Sequence, residues 1–235
     1  MSPAYQQTSY YSKFLVWFIV NLTVALTPLG AEELDLSKAK LGTEPDSLTV
    51  IDGEFLAVEL EGTERGLEVS TTPLVEAGAQ FGTTIKGQAK VSADFLASRQ
   101  GRSFPRFGIG LHGLSGMRLR LVPSSRTIEL LYKEEVVAQQ KFEANTWPWE
   151  SGEPVRMELT VRPSDAEGGY RVQGRIWKPT LAKDSGRPSA PQITKQISLR
   201  TVRGKASIWA TPYSGTPVVI SRIIAAPTNE PIPAK

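Results

Sequence analysis

The chain of 235 residues is 40% hydrophobic and 22% charged, an ordinary globular composition with enough apolar material for a core. Its 27 basic and 24 acidic residues are too evenly balanced to indicate a nucleic-acid partner. The absence of cysteine excludes disulfides and thiolate metal sites, and the single histidine, His112, excludes zinc sites that need two imidazoles.

The N-terminus has the pattern of a secretory signal. Lys13 precedes an almost wholly apolar stretch, residues 14–26, which is followed by TPLGA and an acidic EELD. A basic start, a short apolar stretch and small residues before an acidic segment are typical of signal peptides. We therefore predict a signal peptide over residues 1–31, cleaved after Ala31, and an extracytoplasmic location that fits a bacterial cell envelope. The alternative is an uncleaved signal anchor, and the membrane is a partner only in that case.

The rest of the chain is predicted to be one β-rich domain over residues 48–227. Before it we expect a linker or N-terminal extension over 32–47, and after it a disordered tail over 228–235. Nearly every segment of the domain alternates apolar and polar residues, which is the pattern of a half-buried strand. The predicted strands are 48–51, 54–60, 83–95, 106–112, 117–122, 127–132, 136–142, 155–161, 170–177, 193–199, 205–210 and 218–225. So many short strands, separated by turn residues, predict an all-β sandwich or barrel.

Residues 108–113, GIGLHG, have the glycine spacing of a dinucleotide-binding fingerprint. That fingerprint needs a strand before the glycines and a helix after them, whose N-terminus holds the pyrophosphate. Here the glycines lie within a predicted strand, and a turn and another strand follow, so we predict no cofactor. Alternation directs Phe107 and Ile109 to one face and the strand glycines with His112 to the other. Glycines inside a strand allow a ligand, or an aromatic ring of a neighbouring strand, to approach the backbone closely.

Three middle strands carry arginine on one face. Alternation in MRLRLV (117–122), VRMELTV (155–161) and YRVQGRIW (170–177) places arginines, with glutamate, glutamine and an aromatic residue, opposite the apolar side chains. Because arginine binds carboxylate and sulfate groups through paired N–H donors, and aromatic faces stack on sugar rings, we predict a glycan-binding face. Its residues are His112, Arg118, Arg120, Arg175 and Trp177. The alternative is a solvated sheet face on which arginine and glutamate pair across strands.

The stretch TWPWESGEP, residues 146–154, brings two tryptophans just before a strand. Exposed rings of Trp147 and Trp149 would form a stacking platform for a sugar. A ring folded over the end of the core would instead be a plug, and we expect at least one of the two tryptophans to take that role.

The stretch ELEGTE, residues 59–64, spaces Glu59, Glu61 and Glu64 much like the carboxylates of a retaining β-glucanase. Glycoside hydrolysis needs two carboxyl groups that flank the bond, one of them with a raised pKa. The glycines nearby predict a turn that moves Glu64 away, and the aromatic setting of a sugar cleft is missing, so we assign no catalytic residue. If the protein is a hydrolase, Glu59, Glu61 and Glu158 are the carboxylates to test. No compact acidic motif marks a metal site, although calcium binding through scattered carbonyls stays open.

Five segments carry a resemblance to a known group of domains. They are LTVIDGEFLAVELEG (48–62), RFGIGLHG (106–113), WESGEPVRMELTVRP (149–163), YRVQGRIWKP (170–179) and GKASIWATPYSGTPVVISRIIAAP (204–227). Their pattern resembles the concanavalin A-like (laminin G-like) jelly-roll domains of secreted bacterial proteins, near the group labelled 3-keto-disaccharide hydrolase domains. The resemblance implies an antiparallel β-sandwich of two curved sheets, with ligand contacts on the concave face or the rim loops. It implies no catalytic residue, because the carboxylate motif of the glucanase-type members is not intact.

Three functions stay open. The first is a secreted, non-catalytic module that binds glycan or another envelope component. The second is a glycoside-acting hydrolase of the concanavalin A-like fold. The third is a structural domain that docks another protein through an edge strand. A polysaccharide or an envelope protein is the expected partner, and a nucleic acid is not.

Overall fold

The structure is a computed structural model that describes residues 30–60, 64–71, 76–164, 169–179, 186–212 and 215–228. Within these ranges the chain forms fifteen strands and one 3-10 turn, Pro123–Ser125. The strands are β1 (Glu32–Glu33), β2 (Leu48–Asp52), β3 (Phe55–Glu59), β4 (Arg65–Val69), β5 (Ala77–Lys86), β6 (Ala89–Ala97), β7 (Arg106–Leu111), β8 (Met117–Val122), β9 (Thr127–Tyr132), β10 (Glu135–Lys141), β11 (Pro154–Pro163), β12 (Tyr170–Trp177), β13 (Ile193–Ile197), β14 (Arg203–Thr211) and β15 (Val218–Pro227). No helix in the ranges given is long and apolar enough to cross a membrane.

The strands form two antiparallel sheets. Sheet A has the order β13-β12-β11-β6-β15-β4-β3, with β1 beside β15, and sheet B has the order β10-β9-β8-β7-β14-β5-β2. Several neighbours, such as β6 and β15, come from distant parts of the chain, which is the connectivity of a jelly roll. The predicted all-β antiparallel sandwich is confirmed.

The core lies between the sheets and follows from the alternation of each strand. In β8, Leu119 and Leu121 are buried, and the arginines between them point away from the core. Phe95 of sheet A and Phe107 of sheet B stack across the interior with their ring centroids 4.8 Å apart. Burial of these apolar side chains holds the sheets together and leaves the polar side chains to the two outer faces.

Glycines on the outer face of sheet B make room for an aromatic ring. A Cβ atom on Gly78 of β5 would collide with the ring of Trp209 on the neighbouring β14. A Cβ atom on Gly110, in the GIGLHG stretch, would collide with Ser207 Oγ, to which the Trp209 indole N–H donates a hydrogen bond of 2.9 Å. Within GIGLHG, the packing therefore supports close approach of a neighbouring strand's ring at Gly110, whereas a Cβ atom on Gly108 would collide with the backbone of β8.

The strands differ from the prediction at several points, and β5 begins at Ala77 instead of residue 83. The single strand predicted over 83–95 is two strands, β5 and β6, because the chain turns at Gly87 with a φ of +70°. β1 and β4 are short and were not predicted.

The first residues of the stretch 32–47 pack on the sandwich. β1 pairs with β15, and Leu34 and Leu36 are buried. The predicted signal peptide and tail lie outside the described residues, except for residues 30, 31 and 228.

We expect Phe95→Ala to lower the free energy of unfolding by about 3–5 kcal/mol, because it removes the ring that joins the two sheets. Leu96→Ala is the matched control, since Leu96 is the next residue, points outward and is 40% exposed. Its effect should stay below about 1 kcal/mol in urea unfolding. Equal losses would contradict the assignment of the core.

Candidate functional site

The five residues predicted to form one glycan-binding face do not share a face. Arg118 and Arg120 lie on β8 of sheet B, whereas Arg175 and Trp177 lie on β12 of sheet A. Their side chains point outward from opposite sides of the sandwich, and His112 lies beyond the end of β7. The prediction of one shared face is wrong, because alternation shows which residues share a strand face but not which sheet the strand joins.

The two arginines of sheet B are engaged by neighbouring side chains. The Arg118 guanidinium stacks on the ring of Trp209 at 3.6 Å from the ring centroid and pairs with Glu76 at 2.8 Å and Glu134 at 2.9 Å. Arg120 donates two hydrogen bonds, of 2.9 and 2.7 Å, to one oxygen of Glu129, its cross-strand neighbour on β9. Both arginines therefore stabilise the outer face of sheet B.

On sheet A, Glu158 of β11 lies between two arginines. Arg175 Nη1, from the neighbouring β12, approaches a Glu158 carboxylate oxygen at 3.1 Å, and Arg187 Nε donates to the other oxygen at 3.1 Å. Glu158 is 4% exposed and Arg175 7%. A buried carboxylate with two guanidinium partners is a satisfied structural charge. Trp177, further along β12, is also buried and offers no open stacking surface.

Asp94 of β6 has the same kind of surroundings. Its carboxylate contacts the guanidinium groups of Arg156, at 3.2 Å, and of Arg222. Burial raises the pKa of Asp94 above its ordinary value, and the two arginines act in the opposite direction. We call Asp94, Arg156, Glu158, Arg175, Arg187 and Arg222 the arginine network.

The glucanase-like carboxylates do not form a site in the described residues. Glu59 ends β3, is exposed and lies opposite Arg65, which begins β4, and the Leu60 N–H donates to the Glu64 carbonyl at 2.9 Å, so Glu64 lies across from the end of β3. Glu61 lies outside the described residues, and Glu158 belongs to the arginine network. In the part of the chain that the structure covers, no three His, Asp or Glu side chains are placed to hold a metal ion.

A cleft of about 370 Å³ opens at one end of the sandwich, where loops of both sheets meet. Its residues come from the loop after β6, the turn after β8 and the loop before β11. They are Arg99, Phe104, Pro123, Ser124, Arg126, Trp147, Trp149, Glu150 and Ser151. We call this the aromatic cleft. Its volume lies in the range of small-molecule sites.

Three rings line this cleft. Trp149 is 5% exposed and packs near Phe104, with the ring centroids 6.4 Å apart, while the half-buried Trp147 meets Phe142 edge-on at 5.5 Å. The plug expected of at least one tryptophan is confirmed for Trp149. Its indole nitrogen is buried without a hydrogen-bond partner among the described residues.

The loops around the aromatic cleft are fixed by backbone hydrogen bonds. The Arg99 N–H donates to Ser151 Oγ at 2.8 Å. Arg126, with a left-handed φ of +54°, donates its N–H to the Pro123 carbonyl at 3.1 Å and accepts from the Phe142 N–H at 2.9 Å. These hydrogen bonds fix the backbone of the loops that form the cleft, although the loops are far apart in sequence.

The opposite end of the sandwich holds His112. It lines a cavity of about 170 Å³ with residues that include Tyr132, Thr201 and Arg203. Burial lowers the pKa of His112 to about 4, and a contact with the Gly87 backbone opposes that shift. His112 is therefore neutral at physiological pH.

Comparison with solved structures finds the same fold in proteins of very low sequence identity. A carbohydrate-binding module, CBM66 from Bacillus subtilis, matches 80% of this chain and 99% of its own length, with 9% identity and a TM-score of 0.51. The transglycosylase Crh5 matches 86% of this chain and 85% of its own, with 10% identity and a TM-score of 0.51. The carbohydrate recognition domain of Emp47p matches 85% and 98%, with 12% identity and a TM-score of 0.47. The predicted resemblance to concanavalin A-like domains is confirmed at the level of fold.

No protein-family model matches the sequence, and the comparison with curated proteins returns no match.

We expect Arg175→Leu to lower the free energy of unfolding by about 3 kcal/mol, because it removes a buried partner of Glu158. Arg187→Leu is the matched control. The Arg187 side chain is 31% exposed, so water replaces more of its interaction and the loss should be smaller. Equal losses in urea unfolding would contradict a buried structural pair.

We expect the free energy of unfolding to fall as the pH is lowered from about 6.5 to about 4. The unfolded chain binds a proton on His112 near pH 6.5, whereas the folded protein resists this down to about 4. The contribution of His112 is at most ~1.4 kcal/mol per pH unit and levels off below pH 4. His112→Asn, which tolerates the left-handed backbone there, should remove this part of the pH dependence in thermal unfolding. An unchanged profile in the variant would show that His112 is not the group responsible.

Proposed function

We propose that this protein is a non-catalytic glycan-binding module and that the aromatic cleft is its sugar site. The observation that carries the proposal is the presence of two partly exposed rings, Phe104 and Trp147, in one cleft above the buried ring of Trp149. Serine hydroxyls and two guanidinium groups surround the rings.

Sugars need both kinds of surface. Their C–H faces pack on aromatic rings, and their hydroxyls need hydrogen-bond partners when water is displaced. A concave site lined with rings and a few polar groups offers both.

The outer faces of the sheets suit this role less well. Arg118, Arg120 and Arg175, which the sequence indicated as ligand contacts, are bound to carboxylates of the protein itself. A ligand there would have to displace these ion pairs, so we assign the three arginines to stability. The exposed large apolar residues in the described part lie on separate elements, which gives little support to a protein-docking face.

Two further points support the proposal. CBM66 shares the fold over nearly its whole length and is described as a carbohydrate-binding module. The predicted signal peptide would deliver this chain outside the cytoplasm, and we propose a polysaccharide of the cell envelope or surroundings as its partner.

A hydrolase is the second candidate. Asp94 and Glu158 lie on neighbouring strands of one outer face, and a carboxyl group with a raised pKa is what a general acid needs. Each carboxylate is nevertheless held by two guanidinium groups, which argues against catalysis. Release of new reducing ends from a polysaccharide, abolished by both Asp94→Asn and Glu158→Gln, would establish the hydrolase instead.

A glycan array with the full chain, with and without calcium, tests the proposal. We expect selective binding that Trp147→Ala lowers about tenfold or more, because it removes a stacking surface. Ser124→Tyr should also block binding by filling the cleft, without removing a core ring. Trp177→Phe is the matched control and should bind like the original chain.

Absence of glycan binding in either condition would contradict the proposal, as would normal binding by both cleft variants when their melting temperatures are unchanged. Loss of binding in Arg120→Ala alone would instead favour the outer face of sheet B.

A further inference from the structure

We propose that the sugar bound in the aromatic cleft is acidic and that Arg99 and Arg126 bind its carboxylate. The inference rests on the proposed function and adds the class of ligand, namely a glycan that contains uronic acid.

The charges of the two cleft arginines are not balanced by carboxylates of the protein. In the described residues, six arginines are paired with carboxylates of the protein: Arg118, Arg120, Arg156, Arg175, Arg187 and Arg222. Arg99 and Arg126 have no carboxylate partner within the same ranges. Arg65 and Arg203, which line other pockets, also have no carboxylate partner in the described residues, but only Arg99 and Arg126 lie at the rim of a cleft lined by aromatic rings.

The remaining charged residue of the cleft does not offset them. Glu150 is held by Lys178, with 2.6 Å between the ammonium nitrogen and the carboxylate oxygen. The cleft and its immediate partner therefore carry a net positive charge. A neutral sugar can use the guanidinium groups only as hydrogen-bond donors, whereas an acidic sugar also gains from their charge.

The two arginines lie where their side chains can reach a ligand in the cleft. Arg99 follows β6 of sheet A, and Arg126 follows the turn after β8 of sheet B. The backbone of each is anchored by the hydrogen bonds described above, so only the side chain has to order on binding. The Arg99 guanidinium carbon lies 5.9 Å from the centroid of the Phe104 ring, which keeps this charge beside the stacking surface.

The shape of a guanidinium group also fits that of a carboxylate. A guanidinium group presents parallel N–H donors that fit the two oxygens of a planar carboxylate. A pyranose ring with a carboxylate would place its C–H face on the rings and its charge at the rim. A sulfated sugar offers the same negative charge with a different geometry, and the experiment separates the two.

The test is isothermal titration of the full chain with oligogalacturonate, with oligoalginate and with a sulfated oligosaccharide of similar length. The matched ligands are the carboxyl-reduced forms of the same oligosaccharides, which keep the backbone and lose the charge. We expect at least one acidic form to bind about tenfold tighter than its reduced form, with an affinity that falls as salt is added.

Arg99→Ala and Arg126→Ala should each lower the affinity for the acidic form about tenfold and leave the reduced form unaffected. Arg99→Lys should recover only part of the loss, because lysine keeps the charge but not the paired donors. Arg203→Ala, an exposed arginine at the other end of the sandwich, is the matched control and should change neither affinity.

The outcomes separate this inference from the proposed function. Equal affinity for acidic and reduced forms, lost in Trp147→Ala but not in the arginine variants, overturns the inference and leaves the glycan-binding function standing. Tighter binding of a sulfated oligosaccharide than of either uronate overturns the carboxylate assignment. Binding of no glycan on the array or in the titration overturns both.

Discussion

The structure depends on one constraint, which is that every long strand must bury one face between the two sheets. The rings of Phe95 and Phe107 stack in this buried layer. Alternation then sends the polar residues of the same strands outward. Arginines such as Arg118 and Arg175 follow from this, because each lies between two core residues of its strand. Placed on a crowded sheet face, they are largely buried, and a buried charge is tolerated only with a partner. The ion pairs of both outer faces are thus a consequence of the core.

The loops at the two ends of the sandwich are not subject to that constraint. Loops there belong to neither face, so their side chains need not alternate and their charges need not pair. One end holds a neutral histidine in a small cavity, and the other brings three aromatic rings together beside arginines without carboxylate partners in the described residues. On the two outer faces, arginines are paired with carboxylates of the protein. In the aromatic cleft, the arginines and the partly exposed rings can still bind a ligand.

Sequence patterns predicted most of the fold but little of the site. Alternation located the strands wherever it was long enough, and failed at Gly87, where a left-handed turn divides a continuous pattern into β5 and β6. It also placed Arg120 and Trp177 correctly on the outward sides of their strands, yet could not tell that these sides face opposite directions. The aromatic cleft has no local motif, because Arg99, Arg126 and Trp149 come from three loops that meet only when the sheets pack. The one available signal was the pair of tryptophans before β11.

A crystal structure of the protein with a bound oligosaccharide would show whether a sugar binds in the aromatic cleft. We expect a sugar ring packed against Trp147 or Phe104, with its polar groups directed to the surrounding loops. A sugar seated on the arginine network of sheet A, or beside Arg118 and Trp209 on sheet B, would overturn the assignment of the cleft.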